Sequence, residues 1–148
     1  MADVRSAAER VFTNYLCYKI DPLWRRLPAG ERQLGGKEFR EVLHGATGRV
    51  AVRSYLTTGF REDIDFFLWV LSKEPEPIQE LAVRIYHSGL GKYLHMTSSY
   101  FALMRESPYV KDHLHAPMPE VGDCKYLVVY PFIKAREWYL MSFDARQG

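Results

Sequence analysis

The sequence predicts an α+β fold of ferredoxin-like order, βαββαβ, with one antiparallel sheet and both helices on one of its faces. Three observations predict it. Aromatic and β-branched stretches recur between glycine and proline breaks, two intervening stretches repeat their apolar residues at helical spacing, and the two kinds follow each other in that order.

The first strand is Val11 to Asp21, "VFTNYLCYKID", whose residue types suit a pleated, half-buried surface. "DPLWRRLP" ends it with two prolines. "GGKEFREVLHGATG" then places Phe39, Val42, Leu43 and Ala46 on one helical face between glycine boundaries. "RVAVRSYLTTGF" and "DIDFFLWVLSK" form an antiparallel hairpin that turns around Gly59 to Glu62. "PEPIQELAVRIYHSGLGKYL" is the second helix, with Ile78, Leu81, Ala82, Ile85 and Tyr86 at helical spacing, prolines near its start and Gly89 and Gly91 near its end. "MTSSYFALMRE" is the fourth strand. Ile64 to Leu71 lacks alternation, so that strand is expected to be covered on both faces. Helices cover only one face, and the other calls for a second sheet, supplied by a homo-oligomer partner or by a second half.

The domain boundaries read from this pattern are 1–110 for the ferredoxin-like domain, 111–124 for a linker and 125–148 for the first strand of an incomplete second ferredoxin-like half. That last strand, Tyr126 to Phe143, would need neighbours supplied from elsewhere.

At 148 residues with 47% apolar and 26% charged residues, the composition is that of a globular domain able to bury a core without disulfides or metals. Charges interrupt every apolar run short of a membrane span, and "MADVRSAAERVF" lacks the apolar centre of a secretory signal, so a cytoplasmic location and no membrane partner are expected. A net charge of +2 with scattered basic residues argues against nucleic acid. Cys17 and Cys124 are isolated and offer no CxxC pair.

His113 and His115 form an HxH pair in the linker, with no acidic or cysteine ligand beside them, and solvated loop histidines are the simpler reading than a metal site. His44, His87 and His95 lie in or next to helices and read as boundary residues rather than haem ligands. Asp63 and Asp65 open a strand one residue apart, a spacing that suits a shared metal or proton, with the solvated end of a strand as the favoured reading. Arg25 and Arg26 after Trp24 suit an anion clamp or packing of their stems on the indole. No phosphate-cradling glycine loop is present. "KAREWYL" is the richest constellation: Lys134 is a cation for a carboxylate, Trp138 and Tyr139 offer planar surfaces, and a tyrosine can give up a proton and an electron. Those are the needs of porphyrin binding. On the residues alone the ordinary aromatic end of a strand is the favoured reading.

"YKIDPLWRRLP", "SYLTTGFREDIDFFLWV", "GLGKYL" and "YPFIKAREWYLMSFDARQG" together resemble the chlorite dismutase superfamily, from about Val11 to the last residue. That family holds haem-dependent chlorite dismutases and the coproheme decarboxylases of bacterial haem synthesis. The resemblance implies two ferredoxin-like halves with packed sheets, a dimeric α/β-barrel arrangement, usually in pentameric rings. It implies a haem b or coproheme cofactor whose proximal histidine lies beyond the residues matched here. The chain then corresponds to the amino-terminal half and the start of the second, and is expected to bind haem weakly or not at all by itself. By the same resemblance Lys134 lies near a propionate, Trp138 and Tyr139 line the porphyrin, and Tyr139 is the catalytic oxidant of a decarboxylase, where dismutases commonly carry a second tryptophan. Peroxide-dependent coproheme decarboxylase is therefore the first expectation, chlorite dismutase the second, and a non-catalytic oligomerisation module the third.

Overall fold

The computed structural model describes residues 10–104 and 125–146. The chain divides into two compact units, Met1–Met104 and Arg105–Gly148. In the first, β1 (Val11–Ile20) is followed by a short helix α1 (Pro22–Arg26), the long helix α2 (Ala29–His44), β2 (Ala51–Leu56), β3 (Phe66–Ser72), helix α3 (Glu76–His87), a 3₁₀ turn at Gly91–Tyr93 and β4 (Leu94–Met104). The strands form one antiparallel sheet in the order β2-β3-β1-β4. This is the α+β, ferredoxin-like arrangement that the sequence predicts. No helix among the described residues is long and apolar enough to cross a membrane.

Two local features depart from the sequence reading. "DPLWRR" is not a plain break. Pro22 sits in the first turn of α1, and the Leu23 amide donates to Asp21 Oδ1 at 2.8 Å, which caps the helix. Helix α2 begins at Ala29, so Gly35 and Gly36, expected to open it, lie inside it, whereas Gly45 caps its end as expected. Gly35 is a contact point: a Cβ there would lie 3.0 Å from the Gly89 carbonyl carbon, the Leu90 nitrogen and Trp24 Cη2. The loop after α3 runs directly over this bare backbone, and the Leu90 amide donates to the Gly35 carbonyl at 3.3 Å.

The core lies between the helices and one sheet face, where Leu16 and Tyr18 of β1 meet Phe66, Leu68 and Val70 of β3 beneath Ile78, Leu81 and Ile85 of α3. Every residue of β3 is buried except Trp69, which is half-buried. On the opposite face Tyr15 stacks on Trp69 at 6.1 Å and Tyr55 on Phe67 at 5.2 Å between ring centroids. Trp69 Nε1 donates to Thr13 Oγ1 at 2.9 Å.

Tyr18 is fully buried, and its hydroxyl is the one buried side-chain polar atom without a hydrogen-bond partner among the described residues. Burial pushes its phenol far above the usual range, with the nearby Tyr86 adding to the effect. An unpaired buried hydroxyl costs about 1–3 kcal/mol. Tyr18→Phe is therefore expected to stabilise the domain by about 1 kcal/mol, a rise of roughly 4–8 °C in Tm. A fall in Tm on thermal denaturation would mean that the hydroxyl has a partner, such as a buried water.

The second unit corrects the sequence reading most. The strand expected over Tyr126 to Phe143 is not formed: 126–135 enters no ladder, Arg136–Leu140 is a short helix (α4), and Asp144–Arg146 is a 3₁₀ turn. Aromatic and β-branched content favours a strand only where a neighbour takes up the backbone N–H and C=O groups, and no described strand does so here. The linker read over 111–124, with His113 and His115, lies outside the described residues.

Candidate functional site

Lys134 comes just before Ala135, the residue that caps α4, and Trp138 lies inside the helix, close enough for the two side chains to meet. The Ala135 backbone is still extended before the helix starts, and the Trp138 amide donates to the Ala135 carbonyl at 3.1 Å. Lys134 Nζ lies 3.4 Å from the centre of the Trp138 ring. Arg146 Cζ lies 5.1 Å from the same ring, and Arg146 Nε donates to the Met141 carbonyl at 3.0 Å. Tyr139 meets Trp138 edge-on, with centroids 5.2 Å apart and planes at 88°. Trp138 is half-buried, whereas Tyr139 is 61% exposed.

The indole is thus held by cations, each such contact contributing about 0.5–1 kcal/mol at an exposed site. The phenol is left facing outward beside them. Lys134, Trp138 and Tyr139 are brought together. Arg146 is the member that sequence reasoning missed, because a contact across a turn and a loop has no spacing signature. Cations beside planar rings suit the carboxylate rim and flat body of a tetrapyrrole, so the residues present fit such a group.

The other candidates are not assembled into sites. Asp63 and Asp65 precede β3 rather than open it, so strand alternation does not align them. Asp63 pairs with Arg61, Nη2 to Oδ2 at 2.7 Å and Nε to Oδ1 at 2.8 Å, and that hydrogen bonding holds its carboxyl below the usual range. Asp65 is buried, accepting from the Ile20 amide at 2.8 Å and from Lys19 Nζ at 3.3 Å. It ties the end of β1 to the β2–β3 loop. Arg25 and Arg26 occupy the last turn of α1, while Trp24 packs against Tyr93 at 5.6 Å. His44 and His87 close α2 and α3, and His95 Nε2 lies 3.5 Å from Asp21 Oδ2. Among the described residues no three His, Cys, Asp or Glu side chains gather as a metal site.

The chlorite dismutase family model matches residues 32–148, a span that holds most of α2, the whole helical and strand sequence after it, and the Lys134–Trp138–Tyr139 group. The chain belongs to the chlorite dismutase family. Relatives in it include the coproheme decarboxylase of Mycolicibacterium smegmatis, 31% identical over 66% of this chain and 43% of that protein, and the coproheme decarboxylase of Staphylococcus carnosus, 26% identical over 99% of this chain and 67% of that protein. The chlorite dismutase of Ideonella dechloratans is 24% identical over 95% of this chain and 52% of its own length. The chain thus spans between 43% and 67% of these relatives. The solved chlorite dismutase of Candidatus Nitrospira defluvii in complex with imidazole matches the fold with a TM-score of 0.81 at 22% identity, covering 93% of this chain and 60% of that one.

Proposed function

We propose that this chain forms the amino-terminal part of a haem-dependent oxidoreductase of the coproheme decarboxylase type, converting coproheme propionates to vinyl groups with hydrogen peroxide. The observation that carries the reading is the outward-facing Tyr139 phenol set against Trp138, whose ring Lys134 covers at 3.4 Å. A cation for a propionate and an oxidisable phenol are then five residues apart, on either side of the start of α4. Coproheme supplies the iron at which peroxide is reduced. Lys134 binds a propionate, Trp138 supports the macrocycle, and Tyr139 gives up a proton and an electron and takes a hydrogen from the propionate side chain. Each propionate loses one hydrogen and leaves its carboxyl as carbon dioxide. The two electrons released reduce hydrogen peroxide to two waters, with one proton consumed. The alternative in the same family, conversion of chlorite to chloride and dioxygen, is supported by the similarity to the Ideonella dechloratans protein. A tyrosine rather than a tryptophan at 139 favours the decarboxylase.

Titration of coproheme into the 148-residue chain tests the binding half of this reading. The expected result is weak binding with a broad Soret band, weakened about tenfold further by Lys134→Ala, the loss of one charge-assisted contact. A Soret titration that Lys134→Ala leaves unchanged removes Lys134 from the site. Tight stoichiometric binding lost in a single histidine variant would instead identify an axial ligand within the chain.

A further inference from the structure

We propose that Arg146 is a second propionate-binding residue, acting with Lys134 as a pair of cations that selects tetracarboxylate over dicarboxylate porphyrins. On the coproheme reading of this stretch, on which the pair's role rests, it tells substrate from product. Residues 125–146 carry four cations, Lys125, Lys134, Arg136 and Arg146, against two anions, Glu137 and Asp144. Two of those cations converge on one indole. Lys134 Nζ lies 3.4 Å and Arg146 Cζ 5.1 Å from the centre of the Trp138 ring, so the two charges are at most about 8.5 Å apart and repel each other. Anions brought to that ring relieve the repulsion.

Backbone contacts place Arg146. Asp144–Arg146 is a 3₁₀ turn in which the Arg146 amide donates to the Phe143 carbonyl at 3.1 Å. Its Nε donates at 3.0 Å to the carbonyl of Met141, the residue that caps the end of α4. With Nε committed to the backbone, the plane of the guanidinium is set, and a guanidinium of set plane offers a carboxylate a two-pronged edge of donors. Lys134 reaches the indole from before α4 and Arg146 from beyond it, so the cations belong to separate turns of chain around one ring. A mere cap on the α4 carbonyls would hold the turn and be indifferent to the number of carboxylates on a ligand.

That number is what changes in the reaction. Coproheme carries four propionates round its rim, and the decarboxylated product carries two propionates and two vinyl groups. Tyr139, the proposed oxidant, meets the Trp138 ring edge-on at 5.2 Å, so the propionates gathered at this ring include one that reacts. Once it has become a vinyl group, one cation of the pair loses its anion. Two cations therefore favour substrate over product, where a single cation would be satisfied by either propionate that persists.

Fluorescence titration of metal-free coproporphyrin, with four carboxylates, and mesoporphyrin, with two, into the 148-residue chain tests this without iron ligation or turnover. The parent is expected to bind coproporphyrin about tenfold or more tightly than mesoporphyrin. Arg146→Gln, which removes the charge, should weaken coproporphyrin about tenfold and mesoporphyrin by less than about twofold, erasing the preference. Arg146→Lys, which keeps the charge, should retain most of it. Loss of the preference in both variants, as a broken turn would give, overturns the proposal, as does an Arg146→Gln protein that keeps the preference or weakens both porphyrins equally. Coproporphyrin binding that responds to Lys134→Ala but not to Arg146→Gln removes Arg146 alone. Binding that responds to neither, or a parent that binds neither porphyrin, removes the coproheme site with it.

Discussion

Tyr139→Phe is expected to abolish peroxide-driven vinyl formation from coproheme, by about a thousandfold or more, while leaving coproheme binding within about twofold of the parent. The measurement uses this chain joined to the part of the Staphylococcus carnosus coproheme decarboxylase outside its match. Phenylalanine keeps the ring that meets Trp138 edge-on and deletes only the hydroxyl. Binding should therefore persist and chemistry stop. Lys134→Ala should do the reverse, raising the half-saturating coproheme concentration with little effect on the rate at saturation. Absorbance reads the first quantity and mass spectrometry of vinyl products the second. Vinyl formation by Tyr139→Phe at the parent rate would end the decarboxylase reading, and rapid oxygen evolution from chlorite by the parent would replace it with the dismutase.

Gly91→Ala is expected to destabilise the first unit by about 3 kcal/mol or more, a large fraction of the whole stability of a domain of this size. A Cβ at Gly91 would sit on the Ile85 carbonyl oxygen, 2.7 Å from the Ile85 carbonyl carbon and 2.9 Å from Ser88 Oγ. Those atoms cannot yield. Ile85 is fully buried at the end of α3, and Ser88 Oγ donates to the Ile85 carbonyl at 2.7 Å while accepting from the Gly91 amide at 3.1 Å. Gly30→Ala is the control, because a Cβ there meets nothing within 4 Å at the exposed start of α2. It should be neutral or stabilising by up to about 1 kcal/mol. Urea denaturation of the two variants gives the comparison, and a Gly91→Ala midpoint close to the parent would show that the turn after α3 relaxes.

What the sequence made legible was local. The apolar spacing of α3 picked out Ile78, Leu81 and Ile85, all of which are buried, although Tyr86 on the same stripe is 41% exposed with its ring edge-on to Tyr18. The residue types of the four strands and the breaks between them sufficed for the sheet. The failures share a cause. Gly35 looked like a helix boundary because its reason for being glycine lies at Gly89 and Leu90, far along the chain. Asp65 looked like the solvated end of a strand because the bond it accepts from the Ile20 amide, 45 residues away, cannot be read from neighbours. Tyr126 to Phe143 looked like a strand because propensity does not record whether a partner is present. In the candidate site Lys134, Trp138 and Tyr139 were visible as residue types in one short stretch. Their grouping on a helical turn, and the approach of Arg146, depended on backbone geometry that the residue pattern did not contain.

The position of β1 at the centre of the sheet bears on how the chain folds as it is made. The first strand to be synthesised takes its partners from β3 and then from β4, whose pairing joins Val11 to Met104. At about 5–20 residues per second, β1 waits roughly five to twenty seconds before that last partner emerges. During the wait an apolar, half-paired strand is exposed to other nascent chains. Closing such a distant contact also slows refolding, towards the millisecond-to-second range of folds dominated by long-range pairing rather than the microseconds of helical bundles.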